Sequence, residues 1–76
     1  MLLTLMLEQL FGSRTRVKLL RLFLSEPDKS YFVREITRMI DERINSVRRE
    51  LKNLEDMGLL ISQNRDQKKF YQANSN

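Results

Sequence analysis

The chain reads as a mainly α domain that closes on a small β-hairpin. Three observations give that class. Apolar residues recur at helical spacing between residues 14 and 24 and again between 33 and 54. Isolated punctuation, Gly12, Pro27 and Gly58, divides the chain into segments of helix length. After Gly58 the pattern changes to two strand-like runs around a short polar loop. With 76 residues one domain is expected: residues 1–12 as an N-terminal helix, residues 13–76 as the domain proper. A domain this small buries only about 60 to 65% of the surface of its unfolded chain, so a partner surface would help it.

Met1–Phe11 is almost wholly apolar, broken chiefly by Glu8 and Gln9. Such a segment reads as a helix buried on more than one side. A second copy of the chain is the expected cover, giving a homodimer through Met1–Phe11. The alternative is a core helix of the same chain. Gly12 ends this helix and Ser13 is placed to cap the next. In Arg14–Leu24 the stripe is Val17, Leu20 and Leu24, widened by Leu19, Leu22 and Phe23. Ser25–Ser30 is a turn, because Pro27 disfavours helix at Glu26 and has no amide donor. Tyr31 and Phe32 fit a very short strand.

Val33, Ile36 and Ile40 form the next helical stripe, and Ile44, Val47, Leu51 and Leu54 the one after. Neither Gly nor Pro separates them. The spacing alone therefore also fits one helix of about 25 residues pairing as a coiled coil. Asp41 is the one turn candidate, since Asp tolerates the left-handed region. Gly58 closes the helix. Leu59–Asn64 is the first strand, Arg65-Asp66-Gln67 the loop, and Lys68–Ala73 the return strand. Tyr71 and Ala73 share one face of that strand, with Phe70 and Gln72 opposite.

The chain has no Cys and no His. Disulfides, zinc-finger spacing and Ser-His or Cys-His catalysis are excluded. No metal and no cofactor are expected. Net charge is +4, with a pI near 9.9, a lean towards polyanions. Residues 34–59 carry six basic and six acidic side chains, so a basic surface there depends on facing. The apolar N-terminus is far shorter than the roughly 20 residues that span a bilayer. It also lacks a basic leader region, so no membrane is expected and the cytoplasm is the expected location.

On a wheel of about 100° per residue centred on Val47, Ile44, Leu51 and Leu54 fall within roughly 60° of it. Asn45, Arg49 and Lys52 lie roughly 140 to 200° away, with Ser46 and Arg48 flanking them. Glu50 and Glu55 fall towards the buried edges, and Asp56 points outward at the far end. Arg pairs with guanine, Asn with adenine and Ser with either, so Asn45, Ser46, Arg48, Arg49 and Lys52 are the candidate base-facing group. A solvated face with salt bridges is the bland alternative. Lys29, Ser30, Tyr31, Arg34 and Arg43 cluster near helix starts, where amides and cations favour phosphate. Tyr31 and Phe32 also fit core packing, and for Phe32 that is the expectation. Arg65, Gln67, Lys68 and Lys69 surround the hairpin tip against a lone Asp66, as a grip on flanking backbone or minor groove.

With VREITRMI, NSVRRELKNLEDMGLL and LISQNRDQKKFYQAN in place, preceded by RVKLLRLFL, the chain resembles a winged helix-turn-helix domain of the broad ArsR/MarR-like prokaryotic regulator type. The resemblance covers most of residues 13–74. It implies an N-terminal helix, a three-helix core and a two-stranded wing. It further implies a transcriptional regulator with a recognition helix over residues 43–57 in the major groove of double-stranded DNA and a wing over 60–74 on the flanking backbone. Two positions depart from the pattern. Asp41 and Glu42 stand where the turn usually has Gly and a small apolar residue, and Phe32 stands where a Ser or Thr usually caps the first motif helix. Metal-sensing relatives use Cys and His ligands, which this chain lacks.

Two other function classes bear on these residues. Leu10-Phe11-Gly12-Ser13-Arg14 resembles the phosphate-binding motif of small nucleotidyltransferases, but the Asp-x-Asp pair that binds magnesium there is missing. The chain is not expected to be an enzyme. The stronger rival is a winged-helix protein–protein interaction module without DNA binding, because fold does not fix function.

Overall fold

A computed structural model describes residues 13–75. Its elements are α1 (Arg14–Ser25), β1 (Ser30–Phe32), α2 (Val33–Ile40), α3 (Ile44–Asp56), β2 (Leu60–Arg65) and β3 (Lys68–Ala73). The expected helix and dimer contact at Met1–Phe11 lie outside the described residues. Among those described, no helix is long and apolar enough to cross a membrane.

The helices start and stop where side chains and backbone settle their free groups. Ser13 Oγ accepts the Arg16 amide at 3.2 Å and so caps α1. Phe32 cannot cap α2 with its ring. Instead the Glu35 carboxylate accepts the Phe32 amide at 3.4 Å. The break between α2 and α3 falls at Asp41, whose φ of 55° and ψ of 57° are left-handed. One continuous helix is thereby ruled out. At the end of α3, Gly58 has φ +81°, its amide bonds Glu55 O at 2.9 Å, and the Leu59 amide bonds Leu54 O at 2.9 Å. These two reverse bonds satisfy the last carbonyls of the helix.

The sheet is antiparallel with order β1-β3-β2. It has three strands, where a two-stranded hairpin was expected. The very short strand expected at Tyr31 and Phe32 is present as β1, and it joins the hairpin: Tyr31 pairs with Tyr71 and Phe32 with Phe70, and the buried Tyr31 ring meets Phe23 edge-on at 5.6 Å. Burial of that ring gives a strand of three residues its anchor. The loop between β2 and β3 is two residues, shorter than expected. Asp66 and Gln67 both have positive φ, 51° and 64°, the geometry that suits the twist of a tight hairpin.

One face of the sheet carries Tyr31, Tyr71, Leu60 and Ala73 into the core. From the helices, Leu19, Phe23, Ile36, Val47, Leu51 and Leu54 are almost fully buried against them. In α1 the buried residues are Thr15, Val17, Leu19 and Phe23, so Val17 holds its expected place, while Leu20 is half-buried and Leu24 is 67% exposed. Ile44 also departs from expectation. It is half-buried and lines a surface cleft instead of joining the core.

Candidate nucleic-acid interface

The chain places β1 directly before α2, and β3 pairs with β1 in antiparallel register from Ser30–Gln72 to Phe32–Phe70. That register sets the start of β3 beside the first turn of α2. A second tie fixes the hairpin against α3: Ser62 Oγ donates to the Glu55 carboxylate, and Lys69 Nζ lies 3.7 Å from it. Between these elements is a cleft of about 500 Å³. Arg34 and Arg38 of α2, Arg48 of α3, and Lys68 and Lys69 of β3 line it, with Phe32, Val33, Ile44 and Gln67. Among the described residues no acidic side chain lines it.

Two acids of the turn and of α3, Glu42 and Glu50, are directed to α1. Glu42 turns back to α1, where Lys18 Nζ lies at 2.7 Å, Arg14 Nε at 3.4 Å and Thr15 Oγ1 at 3.3 Å. The Lys18 hydrogen bond leads in holding the Glu42 carboxyl below its usual range, against the opposing effect of burial. Lys18 also donates to Ile40 O at 2.9 Å, so it satisfies a carbonyl at the end of α2. Glu50 is buried, and burial pushes its carboxyl up. Hydrogen bonds from Asn53 and Arg16 outweigh that and hold it below its usual range. The cations of α1 thus neutralise Glu42 of the turn and Glu50 on the inner side of α3.

The candidate base-facing residues divide. Asn45, Arg48 and Arg49 are exposed, and Ser46 is half-buried in the same turn. Lys52 is exposed but bonds Asp56 at 3.1 Å, so its ammonium is shared with an acid. Among the described residues Arg34, Arg38, Arg43, Arg48 and Arg49 have no acidic partner within ion-pair distance. The first turn of α3 contains no acid and no side-chain cap.

The candidate phosphate group divides too. Arg34 and Arg43 are exposed cations at the starts of α2 and α3. Lys29 is paired with Glu26 at 3.1 Å. Tyr31 lies in the core, and its hydroxyl meets Glu26 Oε2 at 3.4 Å. Burial in that setting raises its pKa and takes the ring out of reach of a ligand. Tyr31 is therefore removed from the phosphate group. Ser30 Oγ accepts a bond from Arg65 Nη2 at 2.9 Å.

Around the hairpin tip Gln67, Lys68 and Lys69 face the cleft. Arg65 does not. Its guanidinium lies 4.4 Å from the centre of the Phe70 ring, on the sheet face away from the core. Phe32, expected in the core, stands on that outer face as well, edge-on to Phe70 at 5.6 Å. The missed residues are therefore Arg38 in the cleft and the Phe32–Phe70 pair. Pairing of β1 with β3 would have disclosed that pair, but a two-residue run of aromatics does not reveal its partner.

No family model, no curated protein and no solved structure matches the chain.

Proposed function

We propose that this chain is a winged helix-turn-helix domain, akin to the ArsR/MarR-like type, that binds double-stranded DNA as a transcriptional regulator. In this reading α3 enters the major groove, with Asn45, Arg48 and Arg49 at base edges and Ser46 beside them. Arg34, Arg38 and Arg43 meet phosphates, and Lys68 with its neighbours at the hairpin tip grips the flanking backbone. Phosphate contacts set position and base contacts set sequence.

One observation carries the proposal: two acids of the helical middle are bound by α1 while five of its arginines stay without acidic partners among the described residues. Glu42 and Glu50 are neutralised by Arg14, Arg16 and Lys18 of α1. Five arginines on α2, the turn and α3 are left without acidic partners among the described residues. A segment with no net charge in its sequence thereby keeps an excess of basic side chains outside these pairs. Excess positive charge on one surface is what a duplex attracts.

The test is titration of a labelled duplex by fluorescence anisotropy at two salt concentrations. Cationic binding predicts a steep loss of affinity as salt rises. Binding that is absent at low salt, in a folded protein, would favour the protein-interaction reading instead.

A further inference from the structure

The outer face of the sheet carries Phe70, Arg65 and Gln63, which the duplex reading does not use, beside Phe32 and Lys68, which also line the cleft. Three rows of residues run across this face, set by the strand register. Arg65 pairs with Lys68 at the tip; Gln63, Phe70 and Phe32 form the middle row; Ile61, Gln72 and Ser30 form the last. Phe32 and Phe70 lie outside the hydrophobic core and are half-buried. A cation covers each ring: Lys68 Nζ stands 4.4 Å from the centre of Phe32, and Arg65 Cζ 4.4 Å from that of Phe70. Arg65 also reaches Ser30, so its planar guanidinium lies along the sheet. These three rows include no acidic residue.

We propose that this outer face binds unpaired nucleotides, with a base stacked on Phe70 and the phosphates held by Arg65 and Lys68. Aromatic rings on a flat sheet, flanked by cations, accept any base through its π-face. Guanidinium planes stack on bases as rings do. A cation over an exposed ring is held less strongly than a stacked base, so Arg65 can yield Phe70 and turn to phosphate. Gln63, exposed in the same row, offers both donor and acceptor to a base edge. A protein partner would more naturally be met by an apolar centre with few charges.

The experiment measures anisotropy of labelled oligothymidylate, oligouridylate and a duplex with the whole chain and its variants. Wild type is expected to bind a single strand, and comparison of the two oligomers tells DNA from RNA as the source. Phe70→Leu keeps the apolar bulk and removes the π-face; it should weaken single-strand binding by about tenfold or more and leave the duplex unchanged. Phe70→Tyr should retain binding. Gln63→Glu puts a carboxylate on the exposed row without touching the core, and should also weaken the single strand. Failure of wild type to bind either oligomer overturns the inference, as does full single-strand affinity in Phe70→Leu and Gln63→Glu. Single-strand loss in Arg49→Ala equal to that in Phe70→Leu overturns it too, because the strand would then lie on α3. Duplex binding without single-strand binding sinks this inference and leaves the proposed function standing; the converse does the opposite.

Discussion

Arg16 on α1 and Glu50 on α3 are joined by two bonds to one oxygen: Nη2 lies 2.9 Å and Nε 3.1 Å from Oε1. The pair locks the first helix of the domain to the third and removes an acid from the α3 surface. Glu50 is nearly buried, with 6% of its side chain exposed, so its charge depends on these donors. Arg16→Met should cost about 3 kcal/mol in urea denaturation, because it strands a buried carboxylate with Asn53 as its main remaining donor. Replacing both residues, Arg16→Met with Glu50→Leu, should recover most of that loss. A double variant as unstable as the single one would deny the coupling.

Acid should unfold the domain through two carboxylates, Glu42 and Glu50. Glu42 and Glu50 both have pKa values below the ordinary 4.5. A carboxyl depressed in the folded state adds stability that is complete above its unfolded pKa and is lost as pH falls through the folded value. Thermal melts should therefore change little between about pH 7 and 5 from this cause, and fall below about pH 4.5. Glu42→Gln and Glu50→Gln together should lower the plateau and flatten the acid limb. A steep decline already above about pH 5 would place the responsible groups elsewhere.

Backbone conformation offers two substitutions of opposite sign. Gly58 has φ +81° and open space where a Cβ would go, so its cost on replacement is conformational alone. Gly58→Ala should lose about 1 kcal/mol by chemical denaturation, and Gly58→Asn less. At the hairpin, Gln67 has φ 64° beside Asp66 at 51°. Gln67→Gly should gain a few tenths to about 1 kcal/mol, because Asp-Gly is the favoured pair for such a turn. A stabilised Gly58→Ala would mean that the helix ends differently.

These positions also mark how far the sequence could be read. Gly58 and Asp41 were legible because few residues accept a positive φ, and each stood where periodicity allowed a stop. Val47, Leu51 and Leu54 were legible because charges occupy the other side of α3. The stripe of α1 was legible only in part: apolar residues lie around most of that helix, so Leu20 and Leu24 fit helical spacing as well as the buried Leu19 and Phe23 do. Phe32 was misread as core because strand pairing, not local pattern, decides which face a residue takes. In the candidate site, Arg48 and Arg49 were legible from the wheel alone. The diversion of Glu42 towards Lys18, and of Lys52 to Asp56, depended on contacts that spacing does not specify.

Base-facing and phosphate-facing side chains should respond differently to truncation. Arg49→Ala is expected to cost about 1 to 3 kcal/mol on a selected duplex and to relax specificity at one position. Lys68→Ala should weaken selected and random duplexes alike. Lys52→Ala should have the smaller effect, since its charge is already shared with Asp56. These differences are read from competition titrations with both duplexes; identical profiles for Arg49→Ala and Lys68→Ala would contradict the assigned roles of α3 and the hairpin.

The cationic face of α2 and α3 is tested most directly by the salt dependence of duplex binding, in the native chain and in the Arg34→Ala/Arg48→Ala double variant. With about four phosphates engaged, affinity should fall roughly 100-fold between about 50 and 200 mM salt. The double variant should lose affinity and show a shallower slope. A folded protein that binds no duplex at low salt, or one whose affinity and slope ignore both arginines, would contradict the account.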